Sequence, residues 1–180
     1  MRKQRAAKIP VLIYCEGKHD AAFVRYIRGV YAPSNDHNSF DVKPGVGGGA
    51  LSVVRNARRV EGDYALRIAK FDNDRGDEEL CTALNECQGS VLPCICTPCI
   101  EATMLEVIEG KSYAGVSTAA CKRQFHTHIP EDRRLNIEQY AHLFPKELLE
   151  TARRKVGALD VIIRIFEEGE AWKPVRTPAE

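Results

Sequence analysis

The chain is poor in several things that would have marked its class. No apolar run approaches the roughly 20 residues that span a bilayer; the longest, 9–15 and 161–163, fall well short, so no transmembrane segment is expected. Charge of one sign is not in excess. The 26 Lys and Arg against 25 Asp and Glu leave a formal +1, which argues against a protein that coats nucleic acid by bulk electrostatics and requires any polyanion to be met by a local patch. Internal repeats, low-complexity tracts and Ser- or Pro-rich linkers are lacking. The opening MRKQRAAKIPVLIYC sets basic residues before an apolar stretch, but that stretch is short and no small-residue cleavage site follows. It reads as a basic tail entering a strand rather than a signal peptide. Seven cysteines, an odd number with five between Cys81 and Cys99, do not form a secreted disulfide framework. The expected location is the cytoplasm.

A chain of 180 residues, 44% hydrophobic and 28% charged, is long enough to bury its own core without metal or disulfide staples. Its elements alternate. Residues 9–15 are a continuous apolar run stopping at Glu16-Gly17, the pattern of a strand buried on both faces of a parallel sheet. From Lys18, Phe23, Tyr26, Ile27, Val30 and Tyr31 recur at helical spacing up to Pro33. A second strand at 40–43, a glycine loop at 45–49 and a helix carrying Leu51, Val54, Ala57 and Val60 repeat the unit. A third strand over 64–71 ends in Asp72-Asn73-Asp74, a helix spans 77–87, and a fourth strand spans 90–96. Thr97 is a suitable N-cap and Pro98 a suitable first helical residue, so a helix is expected from 98 to about 109. Beyond Gly115 only helices are expected, at 117–125, 137–143 and 146–166, the last with Gly157 as a blemish. The fold class is therefore α/β: a mainly parallel sheet of about four strands sandwiched by helices. The expected divisions are a basic tail (1–8), an α/β core (9–112), a C-terminal helical extension (113–168) and a tail (169–180).

In open α/β sheets, ligands bind beyond the carboxyl ends of the strands, and three of the four strand ends carry acids. Glu16 closes the first, Asp72 and Asp74 close the third, and Glu101 follows the fourth. Asp72 and Asp74 are two apart, a spacing that puts both carboxylates on one side of an extended chain and suits a hard cation. Magnesium is the natural ion, with manganese as a substitute, because it favours oxygen ligands and is usually held by one or two carboxylates with substrate phosphates. Gly17, directly after Glu16, lets a phosphate or metal approach the backbone. Asp20 is a further ligand or a helix cap. Each acid alone also reads as a solvated loop residue or cap.

The segments YCEGKHDAAFVRYI, AKFDNDRGD and TPCIEATMLEVI resemble the Toprim domain, and within it the stand-alone RloB-like proteins. The resemblance covers roughly residues 9 to 166. Asp20 stands where that group usually has Glu, Ile100 replaces an aromatic residue, and Thr103 sits where Trp is common. The resemblance implies a Toprim-like, Rossmann-like fold and magnesium-dependent phosphoryl transfer on nucleic acid, most simply a nuclease of a phage-defence type. It implies Glu16 as general acid or base, Asp72 and Asp74 as magnesium ligands, Glu101 as a supporting acid, and a separate ATPase as partner. The alternative is a non-catalytic nucleic-acid-binding or regulatory Toprim subunit. A third reading takes Asp72 and Asp74 as the nucleophile pair of a haloacid-dehalogenase-type phosphatase, although that motif normally lies on the first strand.

Nucleic-acid contacts are expected from Gly17 and Lys18 and from Arg55, Arg58 and Arg59, which form a compact basic face at helical spacing. The 45–49 loop either offers N–H groups to a phosphate or is a plain turn. It has neither the Lys-Ser/Thr of a P-loop nor the dinucleotide fingerprint, which disfavours ATP and NAD. Cys94, Cys96 and Cys99, with Cys81 and Cys87 upstream, raise a zinc site but are explained more simply as buried small hydrophobes. His126 and His128 read as surface residues. Tyr14, inside a strand, is expected to be buried and is a poor nucleophile.

Overall fold

A computed structural model describes residues 7–35 and 37–174. Four strands, β1 (Ile9–Cys15), β2 (Asn38–Pro44), β3 (Leu66–Asp72) and β4 (Leu92–Cys96), form one sheet in the order β2-β1-β3-β4. All three pairings are parallel. The connecting helices are α1 (Lys18–Tyr31), α2 (Gly49–Arg59) and α3 (Asp77–Cys87). After β4 come α4 (Ile100–Glu109), α5 (Thr118–Phe125), α6 (Ile137–Leu143), α7 (Lys146–Ala152) and α8 (Gly157–Glu168). The α/β expectation holds, and the C-terminal helices pack back onto the sheet layer through α1, α4 and β4.

Alternation along the strands assigns the two faces. Val11, Ile13 and Cys15 of β1, Ile68 of β3, and Cys94 and Cys96 of β4 join the larger core beneath α1, α4 and α8. Tyr14, Ala69, Phe71 and Ile95 point the other way, toward the smaller core of α2 and α3. Tyr14 is thus half-buried rather than buried. Among the described residues no helix is long and apolar enough to cross a membrane.

Beyond shifts of one or two residues at the ends of β2, β3 and β4, three boundaries depart from expectation. The segment 146–166 is two helices: α7 ends at Ala152, and α8 begins at Gly157 with Val156 at its N-cap. The break lets Arg153, just past α7, reach α8, with Nε 2.9 Å from Asp160 Oδ1 and its two terminal nitrogens on the Glu167 carboxylate. Second, α4 starts at Ile100 with Cys99 as N-cap, not at Pro98 with Thr97. The cap is supplied from across the sheet: the Ile100 N–H donates to Asp72 Oδ1 at 3.1 Å. Third, the expected tail from 169 is packed through its start, since Trp172 is fully buried. Residues 1–6 and 175–180 of the two expected tails lie outside the described residues.

Candidate functional site: an acidic cleft over a buried lysine

The chain leaves β1 for β2 on one side and leaves β3 for β4 on the other, so the topological switch point falls between the carboxyl ends of β1 and β3. A cleft of about 490 Å³ opens there. It is lined by Glu16, Gly17, Lys18 and Asp20 after β1, by Asp72 and Asp74 at the end of β3, and by Glu101 in the first turn of α4. Every acid singled out from the sequence therefore meets in one place. Asp74 is exposed and Glu16 is half-buried, whereas Asp20, Asp72 and Glu101 form the recessed floor.

The floor holds a residue that sequence reading missed. Lys70 has no exposed surface. It lies two residues before Asp72 on the same face of β3, between its register partners Cys15 and Cys94. Burial pushes both thiols up and keeps them neutral. The ammonium therefore turns to the carboxylates: it donates to Asp20 Oδ1 and, at 2.8 Å, to Asp72 Oδ1. Burial opposes its charge, but those two carboxylates hold the lysine well above its usual pKa. A lysine in a strand covered on both faces needs a counter-ion, and the period-two rule placed it beside Asp72; that was the available signal.

Asp72 is the hub. Its Oδ1 accepts from Lys70 and from the Ile100 N–H, and its own N–H donates to Glu16 Oε2 at 3.2 Å. Burial raises its carboxyl to about 7, against the pull of Lys70 and with Asp20 and Glu101 adding to the rise. Beside it, His19 and Glu101 pair, Nδ1 to Oε1 at 3.2 Å. Burial alone would push Glu101 up, but the hydrogen bond and charge of His19 outweigh it and bring the carboxyl down to about 2. Glu101 Oε2 and His19 Nε2 are buried with no partner.

Two N–H groups of the glycine loop brace the cleft. The N–H of Gly45 donates to the Cys15 carbonyl at 2.7 Å and that of Gly47 to the Glu16 carbonyl at 3.0 Å. A β-carbon on Gly45 would stand 2.8 Å from the Glu16 oxygen, so only glycine permits this approach. Gly17, by contrast, is extended, as any residue can be, and a β-carbon there would make ordinary contact with Asp20 Oδ2 at 3.4 Å. Its lack of a side chain is not demanded by the backbone.

The expected basic face of α2 stands apart. None of Arg55, Arg58 and Arg59 lines the cleft. Arg58 is engaged by Glu86, Nη1 to Oε1 at 2.6 Å, and by Ser90, and Arg55 lies 3.8 Å from the same glutamate. The cations at the cleft are instead Lys18, Lys122 and Arg134; Lys122 and Arg134 come from the helical extension, where nothing in their local sequence marked them.

The donors available to an ion are hard carboxylate oxygens, the kind magnesium takes, and Glu101 Oε2 among them has no partner. Among the described residues no three His, Cys, Asp or Glu side chains are grouped to cage an ion; Asp20 and Asp72 each turn one oxygen onto Lys70. An ion here would be shared between one or two carboxylates, water and substrate phosphate, as magnesium commonly is. Nor, among the described residues, is there a thiol cluster for zinc; Cys94, Cys96 and Cys99 are buried. Searches against protein-family models, curated proteins and solved structures return no match for this chain.

Proposed function

We propose that the cleft is the active site of a magnesium-dependent phosphoryl-transfer enzyme of the Toprim type that cleaves phosphodiester bonds in nucleic acid. The observation that carries this reading is the meeting of Glu16, Asp72 and Asp74 at the switch point of the sheet, with Glu16 bonded to the backbone of Asp72. Asp72 and Asp74 would hold the ion, whose positive charge would stabilise the charge developing on the phosphoryl oxygens. Glu16, half-exposed beside them, would move a proton to or from the attacking or departing oxygen. Lys70 fixes the Asp20 and Asp72 carboxylates from below, so they need not reorganise during reaction. His19 does the same for Glu101. A separate ATPase subunit, as the resemblance implies, would supply any nucleotide-driven step.

A second reading keeps the nucleic acid and drops the chemistry. Lys70 favours it, since its ammonium already neutralises part of the acid cluster from within. Labelled single- and double-stranded DNA and RNA, incubated with magnesium, manganese or chelator, separate the two. Metal-dependent cleavage lost in Glu16→Gln and Asp72→Asn/Asp74→Asn supports the enzyme. Binding without cleavage supports the subunit, and phosphate release from small esters would replace both with a phosphatase.

A further inference from the structure

Exposed apolar residues scattered singly over a surface call for no explanation. Here they are not scattered. The large hydrophobics exposed among the described residues are Val46, Leu135 and Ile137, at 97%, 50% and 52%. Val46 and Leu135 line the acidic cleft, and Ile137 follows Leu135 by two positions.

Their mounts are fixed. Val46 sits between Gly45 and Gly47, whose N–H groups are bonded to the carbonyls of Cys15 and Glu16, so the loop cannot withdraw the side chain without releasing the end of β1. On the other segment the Tyr140 hydroxyl, from a fully buried ring, donates to the Arg134 carbonyl at 2.5 Å. That ring packs against His19 and Phe23, which ties the Arg134-Leu135 turn to α1. Both apolar residues are thus held out to solvent by backbone that is pinned to the site itself. Lys18, Lys122 and Arg134 line the same cleft.

We infer that the cleft takes single-stranded nucleic acid, with Lys18, Lys122 and Arg134 against phosphates and Val46 and Leu135 against exposed base faces; this rests on the nucleic-acid part of the function proposed above. The chemistry selects the ligand. Cations alone would serve any polyanion, but apolar side chains among them match a chain whose phosphates and base faces are accessible together, and in a duplex those faces are covered by stacking. The size agrees, because about 490 Å³ lies within the roughly 300–1,000 Å³ of pockets for small ligands, room for a nucleotide or two above a recessed floor. Aliphatic side chains contact bases by wedging rather than by hydrogen-bonded readout, so little base preference is expected.

The test is binding measured by fluorescence anisotropy in chelator, which separates recognition from catalysis. Wild type, Val46→Ser/Leu135→Ser and Lys122→Ala are titrated with a labelled single strand and with the same strand in a duplex, and circular dichroism verifies the folds. Wild type should bind the single strand roughly tenfold or more tightly than the duplex. The double serine variant should lose most of that preference with its salt dependence unchanged, while Lys122→Ala should lower the salt slope by about one for both ligands. Equal binding of duplex and single strand, or a double serine variant indistinguishable from wild type, overturns the inference. Single-strand preference without metal-dependent cleavage would leave the inference standing and remove only the enzymatic reading. Cleavage of duplex and single strand alike would do the reverse.

Discussion

The backbone N–H of Asp72 donates to the carboxylate of Glu16, with Oε2 3.2 Å away. This one bond joins the ends of β1 and β3 across the switch point of the sheet. The parallel pairing of β1 and β3 already sets the separation of the two motifs, and the bond places Glu16 next to Asp72 rather than out in solvent. Five carboxylates line the cleft, and Lys70 is bonded to two of them.

Lys70→Met keeps most of the unbranched apolar stem and removes the charge. Asp20 and Asp72 would then face each other in a buried floor without a counter-ion, so a loss on the order of 3–5 kcal/mol is expected in urea unfolding. Adding Asp20→Asn should restore part of it, because the two sites share one interaction. A loss below about 1 kcal/mol would mean that Lys70 does not hold the floor together.

Glu101 sets a limit on the acid side. Its carboxyl is brought down to about 2 in the folded protein, from an ordinary value of 4.5, by His19 working against burial. A group depressed by folding contributes stability above its unfolded pKa and loses it as the pH falls through its folded one. Stability should therefore decline from about pH 4.5 toward pH 2, by up to about 3 kcal/mol from this group. Glu101→Gln should flatten that limb in urea titrations at stepped pH.

Asp72 works in the opposite sense. Burial raises its carboxyl to about 7 from 3.8, so the folded state binds this proton more tightly than the unfolded chain does. The contribution is full below pH 4 and is lost as the pH rises through about 7, at up to about 1.4 kcal/mol per pH unit. In the metal-free protein Asp72→Asn should abolish that decline between pH 4 and 7. A wild-type curve already flat over this range would contradict the burial-driven rise of the Asp72 carboxyl.

Gly45→Ala tests the brace. Its β-carbon would press on the carbonyl oxygens of Glu16 and Cys15, at 2.8 and 2.9 Å. Relief requires moving the loop off β1, at a cost of about 1–3 kcal/mol. Cleavage should fall further than stability does, because Glu16 moves with its own carbonyl; full activity would exclude the loop from the site.

Arg58→Ala should change little. The side chain is spent on Glu86 and Ser90 at the surface, a pairing worth at most about 1 kcal/mol. The salt slope of nucleic-acid binding should match wild type within error, and a slope lowered by about one would return α2 to the binding surface.

Much of this was legible beforehand, for stated physical reasons. Long apolar periods announced α1 and β1, and the acids announced themselves by ending strands, which in a parallel sheet puts them on one edge whatever the strand order. What stayed hidden depended on contacts between distant segments. Thr97-Pro98 carries a good local start signal, yet α4 begins at Ile100 because Asp72 meets the Ile100 N–H there. The period-3.6 stripe of 146–166 runs through a real break, since Gly157 and the grip of Arg153 on Asp160 and Glu167 act only once the two helices are side by side. Arg58 looked free because Glu86 is on another helix. Lys122 and Arg134 reach the cleft only through the packing of the helical extension.

The central claim is that the cleft's carboxylates gather around a divalent cation, and binding of manganese followed by electron paramagnetic resonance tests it most directly. Wild type at pH 8, where Asp72 is ionised, should take up about one equivalent saturably. Asp72→Asn/Asp74→Asn should abolish the uptake and Arg58→Ala should leave it intact. A wild-type protein that shows no saturable manganese binding, or a double asparagine variant that binds as well as wild type, would contradict the account.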